Sequence, residues 1–141
     1  SVVHADFRSG NFLYTEEDGR ISAWLDWELG HIGDRHEDLA WIANSAFGHL
    51  AEDGKTFLVS GLMSLPELFA AYEKASGLPV IPETFKFYQI FNAYKCVVID
   101  AATCFRVARG GKSHQDILVA WLSGLAPMVM GELRSLLEEV C

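Results

Sequence analysis

The chain has 141 residues, half of them hydrophobic and 21% charged, with four Trp, four Tyr and nine Phe. That length suits one compact domain, and that aromatic content excludes a disordered chain because such surface has to be buried. Eleven Lys and Arg against nineteen Asp and Glu give a net charge of −8, which leaves no basic stripe for a nucleic-acid backbone and is otherwise the ordinary charge of a soluble protein.

Ser1-Val2-Val3 opens the chain as a strand-like run with no leader or cap before it, and is expected to follow a cut through a larger protein. It enters His4-Ala5-Asp6-Phe7-Arg8-Ser9-Gly10-Asn11, which places a carboxylate, an imidazole, a guanidinium and an amide within eight residues. Phosphoryl transfer needs a carboxylate to orient a hydroxyl and take its proton, an oxygen ligand for a metal ion, and a cation over the transferring group. Asp6, Asn11 and Arg8 are the residue types for those tasks. The plain alternative is a polar turn in which Asp6 and Asn11 satisfy backbone amides.

Asn11 to Tyr14 and Arg20 to Leu25 are β-like segments around Thr15-Glu16-Glu17-Asp18-Gly19, whose composition is that of a hairpin turn. A hairpin returns the chain to its start, so Asp26, 15 residues beyond Asn11, can meet it over one metal ion. A hard magnesium ion takes one or two carboxylates together with phosphate and water oxygens. Asp34, with Glu37 three places on, predicts a capping-box helix start, continued by Leu39, Ile42, Ala43 and Ala46. A loop is expected between that helix and the next.

Ser64 with Glu67 opens a second helix through Leu68, Phe69 and Tyr72, stopped by Gly77 and Pro79. Pro82 and Glu83 introduce the longest helical run, to about Arg109. Within it Cys96 and Cys104 are separated by roughly 12 Å of rise, beyond disulfide reach. Gly110-Gly111 ends it, Ser113 starts a last helix, and Pro127 kinks or divides the apolar run from Ile117 to Leu137. No apolar run reaches the ~18 residues of a membrane span, so a reduced, cytoplasmic protein is expected. The fold class is α+β, mostly α-helical, as a single domain over residues 1–141: a catalytic loop and metal-binding hairpin in 1–30, a helical part in 31–141.

His4-x-Asp6-x-x-x-x-Asn11 resembles the catalytic loop of protein-kinase-like phosphotransferases, in the aminoglycoside phosphotransferase and choline kinase branch. Asp26-Trp27-Glu28 resembles the metal-binding triplet of the subgroup found alongside acyl-CoA dehydrogenases. Gly33-Asp34-x-x-x-Asp38-Leu39-Ala40-Trp41 resembles a third stretch of that family, with Arg35 where a Pro is usual. The resemblance implies the C-terminal lobe of a protein-kinase-like fold, with ATP as phosphoryl donor and Mg2+ as metal. It makes Asp6 the catalytic base, Asn11 and Asp26 the metal and nucleotide ligands, and His4 a group that fixes the loop. Arg8 would stand near the γ-phosphate, Asp38 would buttress the loop from below, and Asp34 would cap the helix. The small-molecule hydroxyl acceptor stays open, and the Gly-rich flap and paired Lys of a nucleotide-covering lobe are expected before His4.

Gly111-Lys112-Ser113 mimics the end of a phosphate loop, but Arg106 stands where that pattern needs Gly. His31, His36, His49 and His114 lack the spacing of a zinc site. Phe85, Phe87, Tyr88, Phe91 and Tyr94 are read as core before pocket. Two rivals stay in view: a non-catalytic helical binding module that keeps the loop, and a metal-dependent hydrolase using His4, Asp6 and Asp26.

Overall fold

The computed structural model describes residues 1–110, 114 and 124–140. The chain forms two compact units, Ser1–Gln89 and Ile90–Cys141. The first contains three small antiparallel sheets. β1 (Val2–Val3) pairs with β4 (His31–Ile32), and β2 (Phe12–Tyr14) pairs with β3 (Ile21–Trp24), with Phe12 opposite Trp24. The β2–β3 turn closes through the Thr15 amide on the Arg20 carbonyl at 3.0 Å, and Gly19 takes a φ of 66° that only glycine adopts without strain.

The third sheet corrects the expected loop. β5 (His49–Leu50), β6 (Phe57–Val59) and β7 (Met63–Ser64) form a three-stranded antiparallel sheet between the first two helices. Strands of two or three residues are too short to show alternation in the sequence, and their stability comes from pairing.

α1 (His36–Ile42) is shorter than the periodicity predicts. Asn44 turns extended and its side chain accepts from the Ala46 amide, so Ala46 belongs to a 3-10 turn, Ser45–Phe47, and not to the helix. The predicted capping box is not made either. Asp34 Oδ1 does accept from the His36 amide at 2.8 Å at the helix start, but Glu37 turns away to bring Oε2 within 3.2 Å of His31 Nε2. In contrast, α2 (Leu65–Ser76) opens on a complete capping box, with Glu67 Oε2 accepting from the Ser64 amide and hydroxyl. It closes on Gly77 at a φ of 69°.

α3 (Pro82–Gly110) begins in the first unit. Its first turns complete a core in which Leu39 and Ala40 of α1 meet Phe85, with Leu65, Phe69, Tyr72, Val80 and Tyr88 packed around them. Phe69 and Phe85 pack edge to face at 4.8 Å. The aromatic run therefore divides: Phe85 and Tyr88 join the core, while Phe87, Phe91 and Tyr94 are exposed. In the second unit, α4 (Ala126–Glu138) carries Pro127 in its first turn, where a proline costs no hydrogen bond. The expected helix start at Ser113 and the part of the Ile117–Leu137 run before residue 124 lie outside the described residues.

The start of α1 is tied to the loop after α2. His36, fully buried, donates from Nδ1 to Asp34 Oδ1 at 2.6 Å and accepts the Ile81 amide at Nε2 at 3.0 Å, while Arg35 donates to the Pro79 carbonyl at 2.6 Å. Burial pushes the Asp34 carboxyl up. The hydrogen bonds donated by the His36 amide and ring outweigh this, helped by the nearby Arg35 charge, and hold the carboxyl below the usual aspartate range. A depressed folded-state value stabilises the protein above the unfolded value and loses that contribution as pH falls through the folded one. Asp34→Asn is therefore expected to flatten the loss of stability below about pH 4, measured by urea unfolding across pH. An unchanged acid slope would remove Asp34 from the account.

Candidate active site

β1 delivers the chain into a loop gripped from α1. The amides of His4 and Ala5 donate to Asp38, to Oδ2 and Oδ1 respectively, each at 2.8 Å. Both loop residues are buried, and Ala5 takes a φ of 65°. That left-handed conformation costs a non-glycine residue about 1–2 kcal/mol and persists where surrounding bonds over-determine it. The Ala5 amide on Asp38 just before the φ torsion and the Asp6 amide on His4 Nδ1 just after it are such bonds.

His4 ties this loop to the segment after β3. Its Nδ1 accepts the Asp6 amide at 3.3 Å, which leaves Nε2–H to donate to the Leu25 carbonyl at 2.8 Å. The ring lies 4.5 Å from that of Trp27. Both ring nitrogens of His4 are therefore engaged in hydrogen bonds, which leaves no lone pair for a metal in this arrangement.

Asp6 sits at the centre. Its Oδ1 accepts from Arg8 Nε at 3.1 Å and from the Trp41 indole N–H at 2.8 Å. The Asn11 amide nitrogen donates to Asp6 twice, to the carbonyl at 2.9 Å and to carboxylate Oδ2. Asn11 ends a 3-10 turn, Ser9–Asn11, and is only 6% exposed. Its carbonyl accepts the Leu25 amide at 2.9 Å, so the hairpin places Asp26 one residue from a direct bond to Asn11. Asp26 is exposed at a φ of 66°, a left-handed geometry that Asp tolerates better than most residues, and its side chain caps nothing.

The loop is also held from β6–β7. The Ser9 amide donates to Ser60 Oγ, and the Ser60 hydroxyl donates to Ser9 Oγ, both at 3.0 Å. Asp34 takes no part in this cluster, since its carboxylate is occupied by His36. The structure thus gathers His4, Asp6, Arg8, Asn11 and Asp38 through direct bonds, brings Asp26 beside them, and keeps Asp34 apart. Ser60 carries no signal of its own in the sequence. For Trp41 a signal existed in its spacing: it follows Asp38 by three, which puts both on one face of α1.

Among the described residues no group of three or more His, Cys, Asp or Glu side chains gathers to hold a metal. A magnesium nucleotide asks for less: one carboxylate and one amide oxygen, with phosphates and water completing the octahedron. The donor set fits. The Asn11 amide is turned so that its nitrogen is spent on Asp6, which leaves its oxygen for a cation, and the exposed Asp26 carboxylate supplies the charge.

The model of the phosphotransferase enzyme family matches residues 1–84, which take in every residue of this cluster. The chain belongs to that family. Its relatives include the probable acyl-CoA dehydrogenase IBR3 of Arabidopsis thaliana, 31% identical over 120 residues, covering 79% of this chain and 15% of that protein. Human acyl-CoA dehydrogenase family member 11 is 28% identical over 120 residues, covering 82% and 15%. Mouse acyl-CoA dehydrogenase family member 10 is 32% identical over 107 residues, covering 70% and 10%. The chain therefore spans 10–15% of the length of these relatives. No solved structure matches it. Family membership implies a kinase-like fold. Among the described residues no helix is long and apolar enough to cross a membrane.

Proposed function

We propose that this chain is the catalytic lobe of an ATP-dependent kinase that moves the γ-phosphoryl group to a hydroxyl of a small molecule. The observation that carries the reading is the Asn11 amide clamped to the Asp6 carboxylate, with the Leu25–Asn11 backbone bond drawing Asp26 alongside. Magnesium ATP, when bound, supplies the phosphoryl group and the cationic charge that draws its oxygens together. Asn11 Oδ1 and the Asp26 carboxylate would hold the metal. Asp6 orients the acceptor hydroxyl and takes its proton as the oxygen bonds to phosphorus and ADP leaves. Arg8, anchored through Nε, keeps its outer guanidinium nitrogens for phosphoryl oxygens. His4 and Asp38 hold the loop that carries these groups.

The adenine and the remaining phosphates require a nucleotide-covering lobe, assigned to the same protein. The free thiols of Cys96 and Cys104 suit a reducing compartment such as the cytoplasm. Among acceptors, hydroxyacyl compounds come first, because three relatives carry acyl-CoA dehydrogenase in their names. Choline, ethanolamine, homoserine and aminoglycosides complete the panel. The test is the full-length protein with magnesium ATP and each compound, followed by phosphorus NMR. A phosphate monoester formed in equal amount with ADP supports the reading. Nucleotide binding without transfer to any compound or to water overturns it in favour of a binding module.

A further inference from the structure

Trp41 is 4% exposed, and a buried indole N–H needs an acceptor. Most acceptors in a protein interior are backbone carbonyls, yet Trp41 donates to Asp6 Oδ1 at 2.8 Å, across 35 residues of sequence. Arg8 Nε donates to the same oxygen at 3.1 Å. The two donors are themselves joined, because the Arg8 guanidinium lies over the Phe47 ring at 5.7 Å and Phe47 packs on Trp41 at 5.4 Å. Asp6, Arg8, Phe47 and Trp41 make a closed ring of contacts around one carboxylate oxygen.

From this juxtaposition we propose that Trp41 is a positioning residue for Asp6, fixing Oδ1 so that Oδ2 is the oxygen that meets the acceptor hydroxyl. The consequence for transfer rests on the kinase reading above. With Oδ1 loaded by two donors, its lone pairs are spent; among the described residues Oδ2 has only the Asn11 amide on it, and it keeps room for a second hydrogen bond. Rotation of the carboxyl group would exchange the two oxygens, and the Trp41 indole on α1 opposes it from a rigid element. With water as the simplest acceptor, the water oxygen bonds to the γ-phosphorus, the β–γ bridging bond breaks, ADP leaves, and the water proton passes to Oδ2.

Two readouts on the full-length protein test this. In nitrogen–proton NMR, the Trp41 indole resonance is identified by its loss in Trp41→Phe, and it is expected to move upfield in Asp6→Asn, where a charged acceptor becomes a neutral one. In magnesium ATP hydrolysis, Trp41→Phe keeps the ring against Phe47 and loses the N–H, so kcat is expected to fall about tenfold with KM for the nucleotide unchanged. A merely structural tryptophan would leave the indole resonance blind to Asp6, or would move kcat, KM and melting temperature together; either result overturns the proposal. Should the wild-type protein hydrolyse no nucleotide and phosphorylate no acceptor, the kinase reading falls by itself. The indole resonance then decides whether Trp41 holds Asp6, since that shift requires no turnover.

Discussion

Asp6→Asn in the full-length protein is expected to lower phosphoryl transfer by about 10²- to 10⁴-fold while the protein stays folded. Asn has the shape of Asp and still offers an oxygen to the Trp41 indole and to Arg8 Nε, the two donors that meet Oδ1. At the other position its NH2 would face the NH2 of Asn11, two donors opposed, so that bond is given up. Asn11 keeps its second anchor, the Asp6 carbonyl at 2.9 Å. What disappears is the group able to take a proton. Transfer rate and circular-dichroism melting are measured together: a variant that keeps more than half its activity would show that Asp6 is not the base. One that unfolds would show that the negative charge holds the ring of contacts together.

The second large effect concerns stability. Asp38→Ala removes the acceptor for two buried amides, His4 and Ala5, each bonded at 2.8 Å. Stranding them costs about 3 kcal/mol in all, at the low end of the penalty for losing charged acceptors, because water can reach part of the space left behind. The left-handed Ala5 backbone also loses one of the bonds that flank it, so the loop carrying Asp6 relaxes. Hydrogen exchange is the direct measurement: the His4 and Ala5 amides are expected to lose protection in Asp38→Ala. Asp38→Asn, which retains one oxygen, should keep one of them protected. Protection unchanged in the alanine variant would mean that Asp38 does not hold the loop. Activity is expected to fall in parallel, through the displaced Asp6.

Chemistry that depends on residues close in sequence was open to reading from the chain alone. The Ser64–Glu67 capping box, the Gly77 helix end and the Pro82 start are each decided within a few residues, and they stand where the spacing puts them. The hairpin around Asp18-Gly19 is equally local, and its arms lie within one residue of their predicted ends. The order of His4, Asp6, Asn11, Asp26 and Asp38 along the chain was likewise enough to suggest the family to which residues 1–84 belong.

Side chains with more than one available partner were not legible in this way. Glu37 had the spacing for a capping box and went to His31, because the β1–β4 pairing brings His31 to the start of α1. Ala46 had helical spacing, yet the Asn44 side chain captured its amide and ended the helix first. The short strands from His49 to Ser64 carry no alternation long enough to detect, and only mutual pairing makes them strands.

Trp41 shows the division most clearly. Its place one turn after Asp38 on α1 follows from sequence, since helical period alone puts the two on one face. Its acceptor, Asp6 Oδ1, lies 35 residues away and is presented by a loop whose shape depends on Asp38, Asn11 and Ser60 at once. The sequence by itself determined which chemical groups the protein has and the local turns and helices that carry them, because those follow from near-neighbour sterics and hydrogen bonding. Only the tertiary structure decided which donor faces which oxygen of Asp6. A carboxylate accepts from any donor that packing brings within about 3 Å, and packing is a property of the whole fold.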